Sequence, residues 1–216
     1  MVQKDKKPAK TKAVAGDKRP RGRPRAYDPE LALAQAADVF WKKGYDGTSL
    51  DDLAAATGMN RPSLYAAFGD KHELYLKTLQ RYRDQARTDS LSLLEDDPSL
   101  RVYLSRFYKS ALDLYVAGGP RGCFTVSTAT TQATADPAVR AFLSASIRGT
   151  DAFLREIIVK AQDRGEIARS ADATALAQVA TAALHTLAVR ARAGVPRKEL
   201  DALAAAAINT ICGPSV

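Results

Sequence analysis

The 216-residue sequence predicts an all-α protein, with a small three-helix unit near the N-terminus and a larger helical part behind it. Apolar residues recur at three- and four-residue intervals along most of the chain, which is the period of one face of an α-helix. Pro, Gly and Asp, which end and begin helices, separate the segments with this period. No segment shows the alternation of a half-buried strand. The C-terminal part, about 130 residues long, is large enough to enclose its own core.

These breaks divide the chain into nine predicted helices. The first begins after Asp28 with Pro29 at its first helical position, where the missing N–H of proline costs nothing. The fourth ends at the sequence Asp-Asp-Pro, and a glycine-rich loop over 118–122 follows the fifth. The predicted helices span about residues 28–43, 49–57, 60–68, 71–95, 99–116, 123–132, 136–164, 172–192 and 196–211.

The segment from Gly44 to Leu74 predicts two short helices joined by a tight turn. Ser49 is placed to cap the first of them, and Gly58 supplies the left-handed conformation that ends it. Asn60 is placed to cap the next helix, which continues to Gly69. A helix, a four-residue turn and a second helix form a helix-turn-helix, in which the second helix enters the major groove of DNA and the first braces it.

This segment resembles the N-terminal DNA-binding domain of TetR/AcrR-type transcriptional regulators over roughly residues 28–76. A generic helix-turn-helix needs only a few apolar residues and a glycine, whereas the Gly-Tyr before the motif and the Leu-Tyr-x-x-Phe-Gly-x-Lys after it are particular to this family. The residues that carry the resemblance are Phe40, Gly44, Tyr45, Thr48, Ser49, Asp52, Leu53, Ala54, Gly58, Ser63, Leu64, Tyr65, Phe68, Lys71 and Leu74.

The resemblance implies three phosphate contacts on double-stranded DNA, from Thr48, Tyr65 and Lys71. Tyr65 also has a second interpretation, as a core residue, although tyrosines often bury the ring and leave the hydroxyl in water. Leu53 and Leu64, by contrast, are expected to be core residues of the helical unit with no contact to DNA.

The resemblance also places Arg61, Pro62, Ser63 and Ala66 along the groove. The sequence departs from the family at Ala66 and Ala67, where relatives often carry polar side chains. Fewer hydrogen bonds to base edges are therefore available, so Arg61 becomes the main candidate for reading a guanine.

The charge of the chain is concentrated in its first 25 residues. They hold ten basic and two acidic residues, which accounts for the whole net charge of +8. With few apolar side chains, this arm cannot bury enough surface to offset its ordering entropy, and we expect it to be disordered in isolation. It lacks the apolar run of a signal peptide, and no stretch of the chain is apolar enough to cross a membrane. We expect a cytoplasmic protein.

Within this arm, Pro20-Arg21-Gly22-Arg23-Pro24 matches the core of an AT-hook. The glycine lets the backbone lie deep in a narrow minor groove, and Arg21 and Arg23 then point along it in opposite directions. The alternative is an ordinary solvated basic arm. The motif ends a few residues before the first helix, close enough to enter the groove next to the recognition helix, as homeodomain arms do.

The larger helical part has two expected roles if the resemblance holds. The last two helices, over 172–192 and 196–211, are rich in alanine, which permits close helix approach. Paired with a second subunit they would form a four-helix dimer interface, although an internal core accounts for many of the same residues. We therefore expect a basic arm over 1–26, a helix-turn-helix DNA-binding domain over 27–76, and a helical ligand-binding and dimerisation domain over 77–216.

The second expected role is to bind an unknown small molecule. Aromatic residues and one histidine between the fifth and eighth helices suit an apolar pocket with a few polar anchors, although most of them are also ordinary core candidates. In the family, a ligand held there changes the distance between the two DNA-binding domains. The candidate pocket residues are Tyr103, Phe107, Tyr108, Phe124, Phe153 and His185.

Cys123 follows Pro-Arg-Gly at the predicted start of a helix, with Arg121 nearby. A helix N-terminus and a neighbouring cation both favour a thiolate, which predicts a sensor of oxidants or electrophiles. The other interpretation is a small buried apolar residue. A disulfide to Cys212 also stays open, although two cysteines in a cytoplasmic chain are usually reduced.

No catalytic, metal or cofactor site is recognisable in the sequence. The two histidines, His72 and His185, have no Glu or Cys at ligand spacing, and no phosphate-binding glycine loop or nucleophile elbow is present. Two classes remain: a homodimeric repressor that a ligand releases from a pseudo-palindromic operator, and an architectural protein that binds AT-rich DNA through its basic arm.

Overall fold

The computed structural model describes residues 27–214, and this part of the chain is entirely helical, as predicted. The basic arm, with the AT-hook-like residues Arg21 and Arg23, lies outside the described residues. The helices are α1 (Pro29–Lys43), α2 (Leu50–Thr57), α3 (Arg61–Phe68), α4 (Lys71–Ser92), α5 (Leu100–Val116), α6 (Thr130–Gln132), α7 (Pro137–Asp163), α8 (Ala173–Arg192) and α9 (Arg197–Cys212), with a π-helix (Thr125–Ala129) between α5 and α6.

Side-chain caps set most of the helix starts that the sequence indicates. Ser49 and Asp52 form a capping box at the start of α2, and Asp70 and Glu73 form another at the start of α4. Each box satisfies backbone N–H groups that the first helical turn leaves without partners. Asn60 caps α3 by accepting a hydrogen bond from the Ser63 N–H. The boundaries of the DNA-binding helices are therefore fixed locally.

One predicted helix differs in the structure. The segment expected to form a regular helix over 123–132 is a π-helix followed by the three-residue α6. Within the π-helix, the Thr128 hydroxyl donates to the Phe124 carbonyl (2.9 Å) and accepts a hydrogen bond from the Tyr75 hydroxyl (2.8 Å). The wider turn thus ties α4 to the segment that follows α5.

Two hydrophobic cores organise the described chain. The first joins α1, α2, α3 and the start of α4 around Phe40, Leu53 and Phe68, and it includes Phe124 and Val139 from the C-terminal half. The second joins α5, α7, α8 and α9. Because residues beyond α4 complete the first core, the DNA-binding helices are packed directly on the C-terminal part.

A polar contact, here called the Arg121 junction, reinforces this packing at Asp38, Trp41, Arg121 and Arg192. The Arg121 guanidinium lies 4.1 Å from the ring centroid of Trp41 and forms an ion pair with Asp38, both on α1. The Arg121 carbonyl accepts hydrogen bonds from Trp41 Nε1 (3.1 Å) and from Arg192 Nη1 (3.0 Å) at the end of α8. The junction connects α1, the loop after α5 and α8 at one point.

Candidate nucleic-acid interface

The turn between α2 and α3 has the geometry of a helix-turn-helix. Gly58 ends α2 with φ +65°, in the left-handed region that favours glycine, and Asn60 begins α3 two residues later. Leu53 on α2 and Leu64 and Phe68 on α3 are fully or almost fully buried. Their packing fixes the two helices against each other and leaves one face of α3 at the surface.

That exposed face carries the predicted groove residues. Arg61, Pro62, Ser63 and Ala66 are exposed, and the exposed fraction of Tyr65 is 46%. The first turn of α3 and the Tyr65 ring are thus accessible to a DNA duplex. Their contacts with DNA stay a prediction.

Arg61 forms an ion pair with Asp51, which the sequence analysis did not anticipate. Its Nε donates to Asp51 Oδ1 at 2.8 Å and its Nη2 to Oδ2 at 2.5 Å, in the parallel arrangement typical of arginine and carboxylate. The ten-residue separation crosses the turn, so no helical spacing rule predicts the contact.

The three predicted phosphate ligands have different surroundings. Thr48 is only 2% exposed, and its hydroxyl donates to the Gly44 carbonyl at 2.6 Å. This hydroxyl therefore holds the loop before α2. The Lys71 Nζ lies 4.4 Å from the ring centroid of Tyr45, a cation–π contact that orients it at the start of α4. Tyr65 is the most accessible of the three.

Comparison with known proteins identifies the family. A model described as "Bacterial regulatory proteins, tetR family" matches residues 32–78, and one described as "Tetracyclin repressor-like, C-terminal domain" matches residues 102–207. The transcriptional repressor ComR of Escherichia coli K12 is 31% identical over 189 residues, which cover 87% of this chain and 90% of ComR. The chain belongs to the TetR family. Its members regulate transcription and are not enzymes.

Two further relatives of the TetR family show how such chains are used. The regulator CifR, solved as a cysteine mutant in complex with 26-base-pair operator DNA, is 35% identical and superposes with a TM-score of 0.79, covering 87% of this chain and 98% of CifR. The transcriptional activator FasR of Mycolicibacterium smegmatis is 37% identical over 83 residues, which cover 35% of this chain and 38% of FasR. The similarity to an operator complex along almost all of CifR supports a DNA-binding role.

The structure brings together only part of the predicted TetR-type ligand pocket. Tyr103 stacks on Phe107 with ring centroids 5.8 Å apart, and Phe153 meets Tyr103 edge-on at 6.4 Å. Tyr108 packs beside Phe107, and its hydroxyl donates to the Ala180 carbonyl at 3.0 Å. Phe124 lies instead in the core of the DNA-binding helices, against Trp41 and Tyr82, because the chain reverses at the loop after α5. Phe124 therefore lies in a different core from Tyr103, Phe107 and Tyr108, and the prediction that it shares a pocket with them is wrong.

The C-terminal core contains polar atoms that the sequence analysis missed. Among the described residues, the hydroxyls of Tyr103 and Thr181 and one carboxylate oxygen of Asp151 are buried without a hydrogen-bond partner. Burial lowers the pKa of His185, and the charge of Asp151 opposes that shift. In the sequence, Asp151 is an acidic residue on the otherwise apolar face of α7, and that pattern could have indicated a buried polar group.

Two open clefts of about 460 and 440 Å³ lie on the outer surface, the first between α1 and α4 and the second beside the Arg121 junction. None of the six predicted pocket residues lines either cleft. The aromatic residues of α5 are packed as a core in this conformation.

Cys123 lies beside two tyrosines, the partly buried Tyr82 and the buried Tyr115. The Tyr82 hydroxyl donates to its sulfur at 3.6 Å, and Cys123 packs against the C-terminal core, which contains Tyr115. Burial raises the pKa of both phenols well above the ordinary value. Arg121, which was expected to favour the thiolate, is engaged at the Arg121 junction. Both cysteines are free, so the structure contains no disulfide between Cys123 and Cys212.

In the described part of the chain, no helix is long and apolar enough to cross a membrane. The same residues contain no group of three or more His, Cys, Asp or Glu side chains that could hold a metal ion.

Proposed function

We propose that this protein is a homodimeric transcriptional repressor that acts in the cytoplasm and leaves a pseudo-palindromic operator when a small apolar or reactive ligand binds. The observation that carries the proposal is the exposed face of α3, whose Arg61, Ser63 and Tyr65 can reach bases and phosphates while the rest of the helix is held by its core. In a dimer, two such helices about one DNA turn apart would select half-sites related by a two-fold axis.

The proposed dimer interface lies on the exposed faces of α8 and α9. Val179 and Val189 on α8 are 44% and 57% exposed, which is unusual for large apolar residues. Exposed residues follow a four-three spacing along α8, and exposed residues on α9, most of them alanine, recur at three- or four-residue intervals, which is typical of a helix face that packs on another helix. The residues of this face are Ala175, Val179, Ala182, Thr186 and Val189 on α8, and Ala202, Ala205, Ala206 and Asn209 on α9.

The proposed ligand site lies between α5, α7 and α8. Tyr103, Phe107 and Phe153 supply apolar surface, and the unpartnered atoms of Asp151 and Thr181 supply hydrogen-bonding groups for an occupant. Because these side chains are packed closely, binding requires α5, α7 or α8 to move. A ligand that favours the moved state by a few kcal/mol would shift the spacing of the DNA-binding helices.

Cys123 offers a second way to respond, through a reactive ligand. Cys123 follows Arg121 by two residues in the chain, and the hydrogen bond from the Tyr82 hydroxyl connects its sulfur to α4. An oxidised or alkylated sulfur would need more room beside the Tyr82 hydroxyl and the core around Tyr115, so its modification would displace α4 or the loop after α5.

The basic arm supports a second candidate function, an architectural protein for AT-rich DNA. The excess charge lies entirely in residues 1–25, while residues 26–216 carry equal numbers of acidic and basic groups. We propose that in the repressor the arm adds affinity and that Arg21 and Arg23 enter the minor groove.

Deletion of residues 1–25 separates the two candidate functions. A repressor keeps its operator preference while its affinity and the salt dependence of binding fall, because fewer cations displace counterions from the phosphates. Loss of all sequence preference in the truncated protein favours the architectural function.

Sedimentation analysis of Val179→Asp and Val189→Asp, compared with Val102→Asp on α5, tests the dimer face.

A further inference from the structure

Arg61 occupies a position where helix energetics disfavour it. It is the first residue of α3, after the Asn60 cap, and there a cation meets the positive end of the helix dipole. The 54% exposed fraction of its side chain excludes a packing role. Its presence is therefore not explained by the stability of α3.

Asp51 offsets this unfavourable position. Its neighbour Asp52 forms the capping box with Ser49 and an ion pair with Lys43 (2.6 Å), so the cap of α2 does not depend on Asp51. Among residues 27–214, Arg61 is the one side-chain partner that the structure gives Asp51. With a 73% exposed side chain on Asp51, this ion pair contributes little to folding. The contact is better explained by what it does to the guanidinium.

The ion pair occupies one edge of the guanidinium and leaves another available. Asp51 takes the Nε–Nη2 edge, so Nη1 and the second hydrogen of Nη2 remain to donate. Two parallel donors match the O6 and N7 acceptors of guanine in the major groove. The occupied edge is one that would otherwise bind a phosphate, and the carboxylate itself repels phosphates.

We propose that Asp51 determines specificity: it holds Arg61 so that the free guanidinium edge reads a guanine, and it weakens the contact of Arg61 with the DNA backbone. The inference rests on the proposed function of α3 in DNA binding. In this arrangement Arg61 alone discriminates between bases, which is consistent with the short side chains of Ala66 and Ala67 on the same helix.

The test uses the full-length protein and a pool of random-sequence duplexes, with selection followed by sequencing. We compare wild type, Asp51→Asn, Asp51→Glu and Arg61→Ala. The matched control is Asp46→Asn, which removes the same charge near α2 from a residue whose side chain accepts from Gln132 (2.7 Å) and not from Arg61. Thermal unfolding of each variant checks that the exposed substitutions leave the fold intact.

We expect wild type to enrich a site with a fixed guanine in each half, and Arg61→Ala to lose the preference at that position. Asp51→Asn should reduce this preference by about fivefold or more, the discrimination of one bidentate contact, and raise affinity for an unrelated duplex about two- to threefold. Asp51→Glu keeps the charge but moves the carboxylate by one methylene, so it should reduce the preference without raising the affinity for unrelated DNA.

The outcomes distinguish a failure of operator selection by α3 from a failure of the role of Asp51. If wild type enriches no sequence, the proposed function is wrong. If wild type selects a site but Asp51→Asn matches Asp46→Asn at every position, or Arg61→Ala leaves every position unchanged, the inference about Asp51 is overturned while the proposed function stands.

Discussion

Replacing Arg121 with methionine should loosen the DNA-binding helices from the C-terminal part. The change keeps an apolar stem beside Trp41 but removes the cation 4.1 Å from its ring, which contributes about 0.5–2 kcal/mol. It also removes the ion pair with Asp38, which contributes no more than about 1 kcal/mol because the Asp38 side chain is 41% exposed. We expect Arg121→Met to lower the free energy of unfolding by about 0.5–3 kcal/mol.

Calorimetry and urea unfolding measure this loss, which for a chain of this size corresponds to a fall in Tm of roughly 1–12 °C. A double-mutant cycle with Asp38→Asn isolates the ion pair, and we expect a coupling energy of about 0.5–1 kcal/mol. Lys42→Met, which removes the other cation bound to Asp38, is the control on the exposed side. Operator affinity of Arg121→Met should fall about two- to tenfold, because α1 is then less firmly fixed to α8. Unchanged stability together with additive single mutations would refute the junction as a coupling point.

Three further predictions follow from individual residues. Cys123→Ser should abolish the release of operator DNA by an oxidant and Cys212→Ser should not; equal release by wild type and Cys123→Ser contradicts a sensing thiol. Hydrogen bonding to Lys43 lowers the pKa of Asp52 to about 2, below the value of about 4 for a carboxyl in an unfolded chain. The stability that the Asp52 carboxylate contributes is therefore present above about pH 4 and is lost as the pH falls toward 2. The difference in Tm between wild type and Asp52→Asn should shrink over that range, and a constant difference contradicts this. Gly122→Ala should cost about 1–3 kcal/mol more than Gly118→Ala, because both have positive φ but only the Gly122 methyl would meet the Ala188 carbonyl, at 2.6 Å; equal urea midpoints would show that the loop yields.

The helix boundaries were predictable because their determinants are local. Ser49, Asn60 and Asp70 cap helices within three residues of themselves, and Gly58 and Gly69 end the helices that the sequence indicates. The π-helix was not predictable in this way. The segment contacts α4 through a hydrogen bond from Tyr75 to Thr128, 53 residues away in the chain, and no local spacing indicates that contact.

The functional residues were predictable only where the motif itself names them. The exposure of Arg61 and Tyr65 follows from their place on a short amphipathic helix, but the partner of Arg61 is contacted across a turn that sequence spacing does not describe. The sequence groups Phe124 with the aromatic residues of α5 because all of them lie between the fifth and eighth helices, whereas the loop at Gly122 carries Phe124 to Trp41. Contacts of this kind depend on the path of the backbone, which composition and periodicity do not encode.

Footprinting of the full-length protein and of Arg61→Ala on genomic DNA, at physiological salt, tests whether α3 selects an operator. We predict protection of discrete pseudo-palindromic sites, with two half-sites about one helical turn apart, and loss of that protection in Arg61→Ala. Uniform coverage of AT-rich DNA that is the same in both proteins would contradict the account.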